Sequence, residues 1–411
     1  MEINVIRLRT VLDGREEIIK NENTNFLEEI NNELMNDDLL FREGSKTASS
    51  SVVFVETGGS ETKFLPYFES LESPIILLSN GKNNSLPAAF EIKTYCAMHG
   101  KLAIVVTGEE TRCAEMLVKF ARINNARHAF KGNILGVIGE PSEWLISSRV
   151  NYSDVENIFD IKLVDIKMDE LIKEIDKKES GKVPHLADLK KKFKNQEVLD
   201  GACYIYGALK RLIDKYHLNG LTIRCFDLLG KYKNTACLAL ALLNEEGITS
   251  ACEGDVPALI TMHILRALTG RSAFQANPSF IDSENKTVLF AHCTLPLNMV
   301  SKYELLTHFE SNLGIGIKGE MALGQVSICK LFINEKHNLD NCLIIGGTIK
   351  ENCSLPGYCR TQIKVELSDY DLMTLLNENF GNHVIITYGD VVNDLYSLVS
   401  ILSFEKHLIK E

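Results

Sequence analysis

The sequence has no excess of basic residues, no long apolar run and no glycine-rich nucleotide signature. Its 44 Lys and Arg stand against 55 Asp and Glu, which gives a formal net charge of -11 and argues against a surface that binds nucleic acid. No apolar stretch approaches the length of a membrane-spanning helix, and the opening MEINVIRLRT lacks the layout of a signal peptide. We therefore expect a cytoplasmic protein that binds neither nucleic acid nor a membrane.

The eleven cysteines are not arranged in the way that disulfide or zinc-binding cysteines usually are. The chain has no CxxC pair, and several cysteines, such as Cys225 and Cys237, lie inside apolar runs. An odd number of scattered thiols is typical of reduced, buried cysteines in a cytoplasm. We expect neither disulfides nor a structural zinc site.

One glycine-rich segment, ETGGSE at residues 56–61, follows a predicted strand. An anion could bind there if the segment opened a helix. It contains neither GxGxxG nor GK[ST], the two signatures of phosphate-binding loops. A tight turn is the better interpretation, and a nucleotide-dependent enzyme ranks behind other functional classes.

The first part of the chain alternates between strands and helices. Five short, nearly all-apolar runs are typical of strands that are buried on both faces of a parallel sheet. These runs are residues 3–8, 51–56, 74–79, 102–107 and 134–139. Helical stretches, notably 86–100 and 110–127, lie between them. The alternation predicts right-handed βαβ units in a doubly wound, Rossmann-like α/β arrangement.

Two further parts of the chain differ from the first in their pattern of predicted helices and strands. Residues 196–252 predict a second α/β stretch, and the charge-rich segment 168–194, which predicts two short helices, is interpreted as a solvated connector between domains. Beyond about residue 285, strands joined by Gly- and Asn-containing turns predict a β-rich domain.

A chain of 411 residues is too long for one ordinary core. We predict three domains. They are an N-terminal α/β domain at 1–165, a second α/β domain at 166–284 and a β-rich C-terminal domain with closing helices at 285–411.

The segment CEGDVPALITMHILRALTG, residues 252–270, places two carboxylates directly before the N-terminus of a predicted apolar helix. Asp255 suits the N-cap of that helix, with Pro257 in the first turn. This interpretation leaves Glu253 unexplained, because a carboxylate that directly follows a predicted strand contributes nothing to an apolar core.

Three segments, in order, resemble the L-fucose isomerase/L-arabinose isomerase superfamily. They are the acidic segment 252–270, the His-containing VLFAHCTLP at 288–296 and FGNHVIITYGDVVNDLYSLVSIL at 380–402. THFES at 307–311 and CRTQ at 359–362 are similar to a shorter, fucose-isomerase-like branch.

The resemblance implies a metal site that binds Mn²⁺ or another divalent cation. Glu253 matches the first metal-binding carboxylate of that superfamily, and His383 matches its C-terminal His ligand. Asn277, which lies 24 residues after Glu253, stands where the fucose branch has its second carboxylate. His292 matches a His of the metal shell in the arabinose branch. Carboxylate, amide and imidazole donors suit Mn²⁺ better than Zn²⁺.

The resemblance also implies an activity, which is aldose–ketose isomerisation of a monosaccharide through an ene-diol. The cation would stabilise the developing negative charge while a neighbouring carboxylate moves the proton. Because an amide cannot accept a proton from carbon, Asn277 leaves three possibilities open. Either Glu253 is the base alone, or Asp255 or another acid assists it, or the protein is a catalytically silent sugar-binding or regulatory relative.

The resemblance further implies a homo-oligomer with a sugar substrate, for which His308 and Arg360 are the candidate binding residues. Each candidate also has a plainer interpretation. His292 could be a core histidine, His383 a turn residue, and Glu253 a capping or ion-pairing residue. His308 with Glu310 could form a surface pair, and Arg360 with Gln362 one face of an exposed strand.

Overall fold

The computed structural model describes residues 2–10, 14–45, 50–334, 338–339 and 342–409. The chain divides into two compact units, one made of Met1–Ala129 with Ser397–Glu411 and the other of Phe130–Tyr396. In the described part of the chain, no helix has the length and apolar character that a membrane span requires.

The first unit is built on a five-stranded parallel sheet. Its strands are β1 Glu2–Leu8, β2 Leu40–Glu43, β3 Ser50–Val55, β4 Ile75–Ser79 and β5 Ala103–Thr107. Its helices are α1 Glu16–Leu34, α2 Leu65–Phe68, α3 Ser85–Met98 and α4 Glu110–Phe130, with 3-10 turns at Met35–Asp37 and Glu61–Phe64. The strand order is β2-β1-β3-β4-β5, with helices between most successive strands, and four of the five apolar runs predicted as strands form β1, β3, β4 and β5.

The second unit begins with a four-stranded parallel sheet in the order β7-β6-β8-β9. The strands are β6 Ile134–Ile138, β7 Lys162–Ile166, β8 Gly220–Ile223 and β9 Thr249–Cys252. The helices are α5 Tyr152–Phe159, α6 Met168–Ile175, α7 Leu186–Lys192, α8 Gln196–Tyr216, α9 Asp227–Tyr232, α10 Cys237–Glu245 and α11 Val256–Thr269.

The second unit continues into a closed antiparallel barrel in the order β10-β11-β16-β15-β14-β17. The barrel strands are β10 Phe274–Asp282, β11 Thr287–His292, β14 Gly324–Lys330, β15 Leu343–Asn352, β16 Thr361–Glu366 and β17 Val384–Tyr388. A separate hairpin pairs β12 Val300–Leu306 with β13 Gly316–Met321, and the other elements of this unit are a 3-10 turn at Leu297–Met299 and α12 Asp369–Asn377. The last helix, α13 Val392–Ile409, begins in this unit and continues into residues that belong to the first. Parallel layers followed by a β-rich region confirm the predicted fold class.

Two details of the sequence interpretation are wrong. The segment 168–194 is not a solvated connector, because Leu171 and Leu189 are fully buried in the core of the second unit. Within the predicted α/β stretch 196–252, the run LTIRCFDLL at 221–229 predicts one strand, but β8 ends at Ile223 and α9 begins at Asp227, whose carboxylate accepts from Arg224 at 3.0 Å. The division of the chain at 165 and 284 stays a prediction.

His263 of α11 is buried within the second unit, as expected for a histidine of an apolar helix. Its Nε2 lies 2.9 Å from the side-chain amide nitrogen of Asn133, and its Nδ1 lies 3.1 Å from Thr249 Oγ1. Because the amide nitrogen can only donate, Nε2 accepts and the proton is on Nδ1. Burial, and then the charge of Arg266, lower the pKa of His263 from 6.5 to about 4.

Acidification is expected to destabilise the fold through His263. The unfolded chain binds a proton there near pH 6.5 and the folded protein only near pH 4, so this stabilisation is complete above pH 6.5 and is lost as the pH falls to about 4. The full effect is on the order of 3 kcal/mol. Urea unfolding at about pH 7 and about pH 4.5 measures it. His263→Gln is expected to reduce the pH dependence, and an unchanged dependence in that variant would contradict the assignment.

Candidate active site

Glu253 lies in a sharp turn between β9 and α11. Both Glu253 and Gly254 have left-handed backbone conformations, with φ of 62° and 72°. A Cβ at position 254 would lie 2.7 Å from the carbonyl oxygen of Glu140, so only glycine fits there. Asp255 then caps α11 by accepting from the Ala258 N–H at 2.8 Å. The left-handed backbone of Glu253 is uncommon for a non-glycine residue and is characteristic of functional sites.

Two histidines from the barrel face Glu253. His292 is the last residue of β11, and His383 directly precedes β17. Glu253 Oε1 lies 3.7 Å from His292 Nε2 and 3.6 Å from His383 Nε2. The three residues are buried, and their donor atoms all lie within 4.8 Å of one another. One carboxylate and two imidazoles at this separation could bind a single metal ion.

Each imidazole is oriented through its other ring nitrogen. His383 Nδ1 lies 2.9 Å from Asp255 Oδ2, and His292 Nδ1 lies 2.8 Å from Thr294 Oγ1. Both Nε2 atoms are therefore directed toward Glu253. Metal-binding histidines commonly have such a partner, which fixes the tautomer and the ring plane.

Asp255 is fully buried and both its oxygens are engaged. Besides capping α11 through Oδ1, it accepts through Oδ2 from Lys330 Nζ at 2.7 Å and from His383. Lys330 is itself buried and also donates to the His383 carbonyl oxygen at 3.1 Å. Burial alone would raise the pKa of Asp255, but the facing Lys330 and His383 outweigh it and hold that pKa below its usual range.

Trp144, the single tryptophan of the chain, holds the other oxygen of Glu253. Its indole Nε1 donates to Glu253 Oε2 at 2.7 Å, while the ring is 54% exposed and packs edge-on against Phe226. The Phe226 ring in turn contacts the His308 ring in an edge-on arrangement. Burial would raise the pKa of Glu253, but the facing His292 and His383 lower it overall.

A pocket opens beside these groups. It is lined by Phe226, Cys237, Cys252, Glu253, Asn277, His292, Cys293, His308, Glu310 and Cys359. Asn277 Oδ1 is buried and has no hydrogen-bond partner among the described residues, and the same is true of His383 Nε2. Two buried acceptors without partners are costly unless something outside the chain binds them.

The sequence has distant relatives among proteins of known name. No protein-family model matches it. A protein from Priestia megaterium named sulfoquinovose isomerase is 23% identical over 382 residues, which is 86% of this chain and 83% of the relative. Proteins of the same name from Alkalicoccus urumqiensis and from a Clostridium species are 25% identical over 300 residues and 23% identical over 356 residues. These two alignments cover 70% and 82% of this chain, and 67% and 78% of the relatives.

The structure brings together most of the residues singled out from the sequence. Glu253, His292 and His383 converge, and Asn277 and His308 line the same pocket. Asp255 lies behind His383, and Arg360 lines a neighbouring cleft instead, where its guanidinium donates to the Thr307 carbonyl oxygen at 2.6 Å.

Sequence reasoning missed Trp144 and Lys330. A signal existed for Trp144, because its segment follows the carboxyl end of β6, and ligand-binding residues collect at the carboxyl ends of parallel strands. Lys330 had a weaker signal, a lysine at the end of β14 within the otherwise apolar run ICKLFI.

Proposed function

We propose that the protein is a metal-dependent aldose–ketose isomerase of the L-fucose isomerase type. The observation that carries the proposal is the convergence of Glu253, His292 and His383 in a buried pocket. The similarity to proteins named sulfoquinovose isomerase supports the same reaction class.

The residues of the pocket fit a divalent cation. Glu253 Oε1 and the Nε2 atoms of His292 and His383 supply three donors, and the buried Asn277 Oδ1 has no partner in the described structure and supplies a fourth. This mixture of oxygen and imidazole donors suits Mn²⁺ and related divalent ions. When bound, such a cation polarises the sugar oxygens at C1 and C2 and stabilises the negative charge that develops on them.

The surrounding side chains orient those donors. Asp255 fixes the His383 ring, Thr294 fixes the His292 ring and Trp144 fixes the Glu253 carboxylate. A pre-oriented donor set loses little conformational entropy when it binds. In this proposal Asp255 is a positioning residue, since neither of its oxygens is available to a substrate.

Sulfoquinovose, the substrate in the relatives' name, is a glucose with a sulfonate at C6, and we propose an anionic sugar of this kind as the substrate. A cleft lined by Arg360, Lys318 and Phe309 adjoins the metal pocket, because His308 and Cys359 line the pocket and the next residue of each segment lines the cleft. A guanidinium and an ammonium are suitable partners for a sulfonate.

Arg360→Met is expected to raise KM for sulfoquinovose about 10- to 100-fold, the loss of one charge-assisted hydrogen bond, with a smaller effect on kcat. The KM for a neutral aldose is expected to change less, because it has no sulfonate to lose. Lys318→Met is the second test, because Lys318 lies 3.9 Å from Glu304 whereas Arg360 also holds Thr307. Arg271→Met, at an exposed position, is the control. An equal rise in KM for neutral and anionic sugars would contradict the proposal that Arg360 binds the sulfonate.

The function itself is tested by a substrate screen. Protein stripped with a chelator is incubated with sulfoquinovose and with neutral aldoses, each with and without Mn²⁺, and ketose is measured by NMR. Metal-dependent ketose formation is the expected result. No ketose from any sugar, combined with sugar binding in calorimetry, would favour the silent relative instead.

We also propose a cytoplasmic homo-oligomer, as the resemblance implies. All eleven cysteines fall within the described ranges and none forms a disulfide, which is compatible with a reducing compartment. Light scattering at micromolar concentration that gave a 46.0 kDa species would contradict the oligomer.

A further inference from the structure

The pocket described above lacks an evident base. Isomerisation moves a proton between C2 and C1, and a side chain with a free basic atom, such as a carboxylate oxygen, must carry it. Glu253 Oε1 faces the two imidazoles, and Glu253 Oε2 accepts from Trp144. Both oxygens of Asp255 are engaged, and the Asn277 amide cannot accept a proton from carbon. None of the acids considered from the sequence is therefore free.

Glu310 is the other carboxylate that lines this pocket in the described structure. It lies between β12 and β13, in the segment 307–315, and is exposed to solvent. Within the described residues, no hydrogen bond or ion pair engages its carboxylate. A substrate that enters the pocket can therefore meet a carboxylate whose oxygens are both available.

The segment that carries Glu310 is held in place on both sides of it. The His308 N–H donates to the Leu313 carbonyl oxygen at 3.0 Å, and the Asn312 N–H donates to the His308 carbonyl oxygen at 3.0 Å. Ser311 Oγ accepts from the Leu313 N–H and lies 3.1 Å from His308 Nδ1. Glu310 thus projects from a turn whose backbone is held by hydrogen bonds before substrate binds.

We propose that Glu310 is the base that carries the proton between C2 and C1. It would take the role of the second carboxylate of the fucose branch, whose position Asn277 occupies in this chain. This inference rests on the proposed function. The Glu310 carboxylate removes the C2 proton of the open-chain aldose, the C–H electron pair becomes the C1–C2 double bond, and the carbonyl π electrons pass to O1, which takes a proton from solvent. O2 then releases its proton to solvent as the C2 carbonyl forms, and C1 takes the proton back from Glu310. Substrate and product contain the same atoms, and no oxidant or reductant is consumed.

The electrostatic surroundings of Glu310 suit this role. Partial burial, and then the negative charge of Glu253, raise the pKa of Glu310. Burial and the neighbouring His292 lower the pKa of His308 to about 4, so His308 is neutral near pH 7. A carboxylate with a raised pKa is a stronger base. The pKa of Glu253 is lowered and that of Glu310 is raised, and such opposite shifts are typical of two carboxylates with different roles in one site.

The test uses the Mn²⁺-loaded protein with sulfoquinovose. Glu310→Gln is expected to lower kcat about 10²- to 10⁴-fold while KM changes only a few-fold. Exchange of the C2 proton with D₂O, followed by NMR, is expected to fall by the same factor. Mn²⁺ affinity, followed by the fluorescence of Trp144, is expected to stay at the parental value. Glu320→Gln, on the exposed surface of β13, is the matched control and is expected to retain full activity.

A second variant separates a chemical role from a structural one. Glu310→Ala leaves space for a small carboxylate, so added formate is expected to restore part of its turnover. A Glu310→Gln protein as active as the parent overturns the inference, and so does a loss that accompanies weaker Mn²⁺ binding and that formate does not rescue. A parent that forms no ketose removes the proposed function and this inference together, whereas an active parent with an active variant removes the inference alone.

Discussion

Replacing Glu253 by glutamine is expected to weaken binding of Mn²⁺ by more than about 100-fold. Mutation of residues that only hydrogen-bond the metal ligands already lowers metal affinity by about 10- to 100-fold, and Glu253 is itself a proposed ligand. Glutamine has one oxygen and one amide nitrogen where Glu253 has two acceptors. If the oxygen accepts from Trp144, the NH₂ group faces His292 and His383, where a cation would lie. If the side chain is flipped, the NH₂ group meets the indole N–H. In both orientations the negative charge is lost.

Trp144 itself provides the measurement. Its indole is bonded to Glu253, and no other tryptophan contributes to the fluorescence. Titration with Mn²⁺, supported by calorimetry, gives the affinity of parent and variant. Glu320→Gln removes a carboxylate of the same size from an exposed ion pair with Lys302 and is expected to leave the affinity unchanged. Parental affinity in Glu253→Gln would show that the pocket is not a metal site.

Replacing Lys330 by methionine is expected to lower the free energy of unfolding by about 3–5 kcal/mol, the cost of leaving one partner of a buried ion pair without the other. Asp255 would keep its charge in a place with no exposed surface and would lose its 2.7 Å bond to Lys330. The loss is expected to shrink as the pH falls, because protonation of Asp255 removes the unpaired charge.

Two comparisons isolate this effect. Lys350→Met breaks an exposed ion pair with Glu366 on the neighbouring barrel strands and is expected to cost at most about 1 kcal/mol. In an Asp255→Asn background, which keeps an N-cap residue, Lys330→Met is expected to cost much less than in the parent. Denaturant unfolding of the parent, the three single variants and the Asp255→Asn/Lys330→Met double variant measures these differences. If Lys330→Met lowers the free energy of unfolding equally in the parent and in the Asp255→Asn variant, Lys330 acts through its packing and not through Asp255.

The strands of the fold were predictable because they are short apolar runs with turn residues between them. The runs at 74–79 and 102–107 correspond to β4 and β5 within a residue. β2 gave no such signal, since its residues LFRE are partly exposed at the edge of a sheet. The burial of 168–194 was not visible in its charge content, because lysines and glutamates on one face hide an apolar stripe on the other.

The site was predictable only in part, and the reason is geometric. Glu253 carries a signal of its own, a carboxylate directly after a predicted strand, whereas His292 and His383 were singled out only through the resemblance to the L-fucose isomerase/L-arabinose isomerase superfamily. Trp144 and Lys330 carry only weak signals in the sequence, and their roles become evident when the fold places them beside Glu253 and Asp255. Nothing in the local sequence of Glu310 distinguishes it from a carboxylate of an exposed surface pair.

The tight turn at Gly254 also limits how the pocket can move. The Ser142 N–H donates to the Glu253 carbonyl oxygen at 2.9 Å, and the chain at Glu140 passes too close to Gly254 for any side chain to intervene. The segment that carries Trp144 is thus joined to the Glu253 turn through both backbone and side chain, and it cannot swing aside without carrying Glu253 with it. The backbone of this wall of the pocket is therefore expected to stay in place when a sugar enters, and the amide hydrogen of Ser142 should exchange with solvent far more slowly than those of an ordinary surface loop.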